Sequence, residues 1–546
     1  MTPDANSGMN PGARPRTITV ALVLVISLVT GGWLLEHGAR SGPVRTKAEA
    51  ARLFDEVFVH IYRHYVDSLA ASSMYRMAVE GMLYELEDPY TSLLAPDKLG
   101  RLTETTSGNY AGIGVQVDVR DGWMIVISPT PGSPAEHAGI QPGDRIIEVD
   151  GRSTHGWTHE EAQRSFRGRP GTSLALRVER PGMATVIPLT LVRRPLHHSS
   201  VRRIAMLPNG VGYLDLDAFS DSTEREVTRS VNALRARGAR SLMLDLRANP
   251  GGLLEQGLRV ADLFLGPGQR IVSLRGRTEG ANRDYTDSTK QLWPSVPITV
   301  LVDDKSASAA EIVAGALQDH DRAVIVGEST YGKGSAQTII PLGEVGGLKI
   351  TTSRWFTPSG RSISKEVDRD DDDSSADPRA GQRKQYTTSS GRIVYDGGGI
   401  TPDVIESDSA WSEGVRTFQG ALDRKVGLFR DALADYALAL KTKREIASPQ
   451  FTVTQPMLDE VWKRMVARGI VMDRGIYDES SNVVAPFLSY DIARYVFGPE
   501  AEFRRRVAND RAIKTALELM TGASTQKSLL DRALSRQREQ RALSNE

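Results

Sequence analysis

A serine and a lysine lie 25 positions apart in the segment from residue 301 to 337. Ser308 follows small residues in SASAAEIVAGAL and stands where an apolar helix begins. Lys333 follows the β-like run AVIVG, has a glycine on each side, and precedes Gln337 by four positions. A serine hydroxyl attacks a carbonyl only when a nearby base takes its proton. Lysine becomes that base when burial lowers its pKa, and the apolar neighbours predict burial. The pair therefore predicts a Ser-Lys hydrolase.

The same residues have two other interpretations. A serine at a helix start is commonly an N-cap, and glycines around a lysine commonly mark a surface turn. The run from Gly327 to Lys333 also fits the phosphate-binding pattern G-x-x-x-x-G-K. However, Gly334 stands where that pattern needs a Ser or Thr to hold magnesium, and the following QTIIPL and GLKITTSRWF are typical of strands. A nucleotide site therefore fits the sequence less well than a hydrolase.

A second segment predicts how charge would be stabilised during the reaction. Residues 241–265, SLMLDLRANPGGLLEQGLRVADLFL, indicate a buried strand, a turn and an amphipathic helix. The turn Asn249–Gly252 lets backbone N–H groups approach a ligand with no Cβ in the way. Such donors suit the oxyanion that forms during attack on a carbonyl. An ordinary strand-to-helix loop is the alternative use of this turn.

Residues 106–180 resemble a PDZ domain. The run YAGIGV (110–115) is similar to the carboxylate-binding loop of that fold, and SPAEHAGIQPGDRIIEVDG (133–151) is similar to its helix, loop and strand. PDZ domains bind extended chain ends by strand addition, and their backbone amides hold the terminal carboxylate. The resemblance implies a substrate-binding loop made of Gly112, Ile113, Gly114 and Val115.

A PDZ domain followed by DLRANPGG, SASAAEI, ALQDHDRA and GESTYGKGSAQ resembles the carboxyl-terminal processing proteases, also called tail-specific proteases. The similarity continues upstream in YRMAVEGMLYELEDPYTSLLAP (75–96). It continues downstream in LKITTSRWFTPSGRSI (348–363) and GGGITPDV (397–404). The resemblance therefore covers residues 46–405.

This resemblance implies a role for each candidate site residue. Ser308 is the implied nucleophile, Lys333 the general base, and Gln337 the group that positions the lysine. The backbone N–H of Ala309 and a glycine of the Asn-Pro-Gly-Gly turn are the implied oxyanion hole, with Gly251 and Gly252 as the two candidates. One departure is Ala310, where the family often has a second serine that is not the nucleophile.

The composition excludes several classes of function. The 546 residues are enough for about three or four domains. Lysine plus arginine equals aspartate plus glutamate at 68 each, so no charge bias indicates a nucleic-acid partner. The absence of cysteine excludes disulfides, thiol catalysis and cysteine metal sites, and it fits an oxidising compartment. Ser-Lys chemistry needs no metal and no organic cofactor, and we predict none.

An apolar segment near the N-terminus predicts a transmembrane anchor. Residues 17–35 are uncharged, follow Arg14 and Arg16, and are long enough to cross a bilayer as a helix. The basic residues place residues 1–16 in the cytoplasm and the catalytic part in the periplasm of a bacterial cell envelope. A cleaved signal peptide, which would leave a soluble periplasmic protein, is the alternative. The apolar run is long for such a peptide, and no A-x-A site follows it.

The rest of the chain predicts a multidomain α/β (α+β) fold. Apolar spacing in LFDEVFVHIYRHYV predicts N-terminal helices, and strands alternate with helices through the protease core. A charged stretch that interrupts the core predicts a mobile surface loop. We place a helical segment at 46–103, a PDZ domain at 104–193, an α/β Ser-Lys protease core at 200–405 with the mobile insertion at 364–392, and a helical C-terminal region at 411–546.

Together these features predict a serine endopeptidase that recognises proteins by their C-terminal tails and cleaves them through an acyl-enzyme, in envelope protein processing or degradation. The expected partners are proteins or peptides with apolar C-terminal tails. Residues 411–546 also leave room for an adaptor protein or a second copy of the chain. Two other classes stay open: an inactive PDZ scaffold, and a nucleotide-binding protein that uses residues 327–333.

Overall fold

The structure, a computed structural model, describes residues 46–365, 383–407 and 413–544. The chain forms two compact units, one that ends at Glu87 and one that begins at Asp88. The candidate catalytic residues and the PDZ-like region both belong to the second unit.

The cytoplasmic N-terminus predicted for residues 1–16 and the anchor predicted for residues 17–35 lie outside the described residues. Within the described ranges, no helix combines the length and the apolar character that a membrane span requires. The anchor therefore stays a prediction.

The described part of the first unit, residues 46–87, contains two helices, α1 (Lys47–His64) and α2 (Ala71–Tyr84). A capping box opens α1, because the Thr46 side chain accepts from the Glu49 N–H while the Glu49 carboxylate accepts from the Thr46 N–H. These elements confirm the helical character predicted for the start of the folded chain.

A short strand and a helix open the second unit, namely β1 (Ser92–Leu94) and α3 (Pro96–Ser107). Proline starts α3, and Gly108 ends it in a left-handed conformation with φ of 70°. The boundary that the sequence placed between residues 103 and 104 therefore falls inside a helix. The PDZ-like region begins after Gly108.

The PDZ-like region is a six-stranded sheet with two helices. Its sheet order is β3-β4-β5-β7-β8, with β6 paired to β5, while β2 and β9 form a separate antiparallel pair. Side chains of β7 alternate between buried and exposed, as in a strand with one face on a core. The elements are β2 (Asn109–Gly112), β3 (Val115–Arg120), β4 (Trp123–Pro129), α4 (Pro134–His137), β5 (Arg145–Val149), β6 (Arg152–Ser153), α5 (His159–Phe166), β7 (Ser173–Glu179), β8 (Ile187–Val192) and β9 (Arg194–His197).

The protease core contains the α/β layers that the sequence predicts. Its elements are β10 (Val201–Leu207), β11 (Val211–Leu216), α6 (Thr223–Ala236), β12 (Ser241–Asp245), α7 (Leu254–Asp262), β13 (Arg270–Gly276), β14 (Arg283–Thr286), β15 (Ile298–Val302), α8 (Ala309–Asp319), β16 (Val324–Gly327), β17 (Ser335–Pro341) and β18 (Gly347–Phe356). Strands β12 and β15 are buried along their whole length, which is typical of parallel strands covered on both faces.

Two sheets organise these strands. The larger has the order β10-β11-β12-β15-β16-β21 and is parallel from β11 onward, where β21 is Val404–Ile405. The smaller has the order β1-β18-β13-β14, with β17 also paired to β18. The smaller sheet thus joins β1, which precedes the PDZ-like region in sequence, to strands of the protease core.

The predicted mobile insertion, residues 364–392, contains ordered structure at its C-terminal end. Residues 366–382 lie outside the described residues, but β19 (Gln385–Thr387) and β20 (Ile393–Tyr395) form an antiparallel hairpin. Arg392 is nearly buried and pairs with Asp321 and Asp403. The prediction of a loop is wrong for this end of the insertion, because an arginine read as a surface charge is neutralised by buried carboxylates.

The C-terminal region is helical, as predicted. Helices α15 and α16 pack their apolar residues onto the larger sheet, where Ile513 and Leu529 belong to one core cluster with Met243 and Val324. The preceding helices have a core of their own. The elements are α9 (Glu413–Leu422), α10 (Val426–Lys443), α11 (Gln455–Ala467), α12 (Arg474–Glu479), α13 (Ser481–Ile492), a π-helical turn (Ala493–Phe497), α14 (Pro499–Asn509), α15 (Arg511–Met520) and α16 (Gln526–Ser544).

Candidate active site

Ser308 stands at the N-terminus of α8, in the turn that follows β15. Its backbone has φ of 56° and ψ of −113°, a conformation that costs energy for an L-residue and is often found at reactive positions. The turn is tied to a neighbouring one, because the Ala307 N–H donates to the Asn249 carbonyl at 2.9 Å. The Ser306 hydroxyl also donates to the Leu246 carbonyl at 2.8 Å. The serine is therefore held in a strained but well-supported turn.

Glu311 connects the serine segment to the lysine segment. One carboxylate oxygen accepts from the N–H of Ser308 at 2.7 Å and of Lys333 at 3.0 Å. The other accepts from the Thr330 hydroxyl and the Gly332 N–H, each at 2.6 Å. The pKa of Glu311 is raised overall, with burial as the largest cause, and these donors oppose that increase. Because an ionised carboxylate only accepts, four donors around it favour the charged form.

This arrangement argues against the phosphate-binding interpretation of residues 327–333. The N–H groups of Gly332 and Lys333, which would have to face a phosphate, are both donated to the Glu311 carboxylate. The loop also leads into strand β17 and not into a helix. The nucleotide-binding hypothesis is therefore wrong in its key structural requirement.

Lys333 is half-buried, and the pKa of its amine is lowered, first by desolvation and then by the charge of Lys349. The carboxylates of Glu311 and Asp88 act in the opposite direction. The Nζ atom lies 4.9 Å from the centroid of the Tyr90 ring. The environment thus favours the neutral amine that a general base requires.

Gln337 lies on β17, four residues beyond the lysine. Its side-chain amide donates to the hydroxyls of Ser335 at 2.9 Å and Thr351 at 3.2 Å. These bonds fix the amide at the junction of β17 and β18. The predicted role of Gln337 in positioning the lysine stays a prediction.

The Asn249–Gly252 turn packs directly against the serine. A Cβ placed on Gly251, whose φ is 91°, would lie 2.7 Å from the Ala307 carbonyl oxygen and 2.8 Å from the Ser308 Cβ. Only glycine allows this approach. The side chain of Asn249 is buried and donates to the Leu216 carbonyl at 2.7 Å, which anchors the turn.

The two candidate glycines of the oxyanion hole differ in how their N–H groups are used. The Gly251 N–H donates to the Asn249 side-chain oxygen at 2.9 Å. The backbone N–H of Phe219 donates to the Gly251 carbonyl, and the Phe219 carbonyl accepts from the Leu253 N–H. In this strand-like pairing, the N–H of Gly252, between them, points away from Phe219. Gly252 is therefore the better candidate for a donor beside Ala309.

Comparison with known proteins identifies the family. The pattern of peptidase family S41 matches residues 210–372, and that of a PDZ domain matches residues 125–180. The carboxy-terminal-processing protease of Bartonella bacilliformis is 37% identical over 314 residues, which are 57% of this chain and 71% of the relative. This chain belongs to the carboxy-terminal-processing proteases. It is therefore a serine-type peptidase.

Two further relatives support the assignment. The carboxyl-terminal-processing protease of Picosynechococcus is 39% identical over 292 residues, which are 53% of this chain and 70% of that protein. The carboxy-terminal processing protease CtpA of Bacillus subtilis is 36% identical over 289 residues, which are 53% of this chain and 61% of that protein.

The PDZ domain of this peptidase presents a free edge next to a glycine turn. Strand β3 is the edge strand of its sheet, which is the position that strand addition requires. The predicted carboxylate loop, Gly112–Val115, leads into this strand. The carbonyl of Ile113 accepts from the Ala135 N–H, and the carbonyl of Gly114 accepts from the Ser133 hydroxyl. Both carbonyls thus point into the domain.

The sequence reasoning missed Glu311 and Tyr90. Glu311 is the single charged residue in the apolar run AAEIVAGAL, and a charge at the fully buried start of a helix was the available signal. Tyr90 had no such signal, because it lies 243 positions before Lys333 in sequence.

Proposed function

We propose that this protein is a tail-specific serine endopeptidase in which Ser308 is the nucleophile and Lys333 the general base. The observation that carries the proposal is the Glu311 carboxylate, which accepts from the backbone N–H of both residues. One buried acceptor therefore sets the position of the nucleophile and of the base together.

In the proposed reaction, neutral Lys333 takes the Ser308 proton while the serine oxygen attacks the scissile carbonyl carbon. The developing negative charge on the carbonyl oxygen is stabilised by the N–H groups of Gly252 and Ala309. The peptide C–N bond then breaks, and the lysine ammonium gives the proton to the leaving amine. Water, deprotonated by the same lysine, hydrolyses the acyl-enzyme.

We assign substrate selection to the PDZ domain. An extended C-terminal tail would add to the edge strand β3, with its terminal carboxylate at the Gly112–Val115 loop. Apolar tails fit best, since Val115 and Val117 belong to the apolar cluster beside this strand. A peptide with an amidated C-terminus is expected to bind at least about tenfold more weakly than the free acid, since it loses the charge-assisted bonds. Equal affinity in a binding titration would remove the carboxylate from the proposal.

The dyad is tested by single substitutions. We expect Ser308→Ala and Lys333→Ala each to abolish cleavage of a tailed protein substrate, with unchanged circular dichroism, because each removes one partner of the proton transfer. Ser288→Ala, which changes an exposed serine of another loop, is the matched control and should retain full activity. Wild-type activity in either dyad variant would overturn the mechanism.

We further propose that residues 17–35 anchor the enzyme in the inner membrane with the catalytic part in the periplasm. The support is the uncharged run preceded by Arg14 and Arg16, together with the lack of cysteine. A protease added to spheroplasts should digest the catalytic part. The same protease added to intact cells should leave the catalytic part undigested. Protection in spheroplasts would place the catalytic part in the cytoplasm instead.

A further inference from the structure

The segment that begins at Asp88 precedes the PDZ domain in sequence, whereas the protease core follows that domain. The segment nevertheless contacts the protease core near Lys333. Strand β1 pairs with β18, with Ser92 opposite Lys349. The Thr91 hydroxyl accepts from the Thr351 N–H at 3.1 Å, and Thr351 is also the residue to which Gln337 donates. This segment is therefore built into the sheet whose strand β17 begins two residues after Lys333.

Tyr90 is the residue of this segment that meets the lysine. Its ring centroid lies 4.9 Å from the Lys333 Nζ. Burial is the largest cause that raises the pKa of its hydroxyl, so the phenol stays neutral. The Tyr90 N–H donates to the Asp88 carboxylate at 3.0 Å, which fixes the turn that presents the ring.

A ring over an amine has two opposed effects. Its face attracts a cation, which favours the protonated lysine by about 0.5–2 kcal/mol. Its bulk excludes water, which favours the neutral lysine. Around Lys333, Lys349 also favours the neutral form, and Glu311 and Asp88 favour the charged form. The pKa of Lys333 is lowered overall, with burial as the largest cause. The ring lies 4.9 Å from the amine and is part of that burial, so we assign water exclusion to it as the larger effect.

We propose that Tyr90 is a positioning residue for catalysis: its ring covers the Lys333 amine, keeps water from it, and limits the orientations of the side chain. The inference rests on the proposed role of Lys333 as the base. It gives the sequence segment before the PDZ domain a part in the chemistry of the protease core.

The test compares Tyr90→Ala, Tyr90→Leu and Tyr90→Phe in the full-length enzyme. The pH dependence of kcat/KM for a tailed substrate and the rate of Ser308 labelling by a fluorophosphonate are both measured. Tyr90→Ala hydrates the amine and raises its pKa, so the rise in both rates should move to higher pH by about one unit, with an approximately tenfold loss at neutral pH. Tyr90→Phe and Tyr90→Leu keep an apolar cover and should leave the rise in place or move it to lower pH.

Tyr386→Ala is the matched control, since the Lys384 Nζ lies 5.1 Å from that ring centroid on the β19–β20 hairpin. It should leave the profile unchanged. The proposal is overturned if folded Tyr90→Ala keeps the wild-type profile, or if Tyr90→Leu moves the rise to higher pH. If Tyr90→Ala does not fold, the Leu and Phe variants decide alone. Activity in Lys333→Ala would instead refute the proposed dyad, so the two failures are distinguishable.

Discussion

At the scale of single residues, the buried carboxylate of Glu311 organises the candidate site. It accepts four hydrogen bonds from the two segments that carry Ser308 and Lys333. Each bond to a charged acceptor contributes about 1.5–3 kcal/mol, and an unpaired buried donor costs a comparable amount. The exchange of either carboxylate oxygen for an amide group therefore disturbs the lysine segment, which donates to both oxygens.

We expect Glu311→Gln to lower kcat by at least about tenfold and the free energy of unfolding by about 2–4 kcal/mol, because in either orientation the new amide N–H faces at least one backbone N–H donor. The negative charge raises the pKa of Lys333, so its removal should move the rise in rate to lower pH. Glu344→Gln, at an exposed position, is the control. If the pH dependence of kcat/KM for the tailed substrate does not move, the electrostatic part of this account is contradicted.

At the scale of elements, two turns meet at the point where parallel strands end. The Asn249–Gly252 turn follows β12 and the Ser308 turn follows β15, and these strands are neighbours in the sheet. The carboxyl ends of parallel strands lie at one edge, so loops far apart in sequence come together there. Gly251 is where the two turns come closest.

We expect Gly251→Ala to reduce kcat by about a hundredfold or more, because its Cβ would lie 2.8 Å from the Ser308 Cβ and 3.0 Å from Ala309 N, the proposed oxyanion donor. Gly268→Ala is a matched control, since Gly268 also has positive φ, of 84°, but its Cβ would meet nothing within 4 Å. Both variants should lose about 1–2 kcal/mol from backbone strain, and Gly251→Ala should lose more because of its close contacts. Equal activities of the two variants would show that the contact with Ser308 does not matter.

At the scale of the whole molecule, the C-terminal helices α15 and α16 are a layer of the protease core. They cover the face of the larger sheet opposite to α6, α7 and α8. An ion pair of 2.8 Å joins Asp510, at the start of α15, to Arg247, which precedes the Asn249–Gly252 turn. The end of the chain therefore supports the strand end that carries the oxyanion turn.

Ile513→Ala should lower the free energy of unfolding of the catalytic part by about 2–5 kcal/mol, because a buried side chain leaves a cavity. Ile513 is 2% exposed, whereas Val471 is 83% exposed, so Val471→Ala should change stability by less than about 0.5 kcal/mol. Urea unfolding followed by loss of activity and by circular dichroism measures both. If Ile513→Ala melts the C-terminal helices separately while activity persists, those helices are not part of the core.

The sequence by itself was sufficient for the family, the serine peptidase class and the order of PDZ and protease regions. These rest on local signals: Ser308 before an apolar helix, Lys333 between glycines, and the glycine turn at 249–252 each occupy short contiguous runs. The helical character of the C-terminal region was also readable, since amphipathic spacing is a local property.

The tertiary structure alone decided the contacts between segments distant in sequence. Tyr90 reaches Lys333 only because β1 pairs with β18, although the PDZ domain separates these two strands in sequence. Arg392 becomes buried only because Asp321 and Asp403 form ion pairs with it. The sequence shows Glu311 as the single charged residue in an apolar run. Its four hydrogen-bond donors, however, come from two turns that the parallel sheet brings together. Side-chain burial and partner choice depend on packing between elements, and no local pattern encodes that packing.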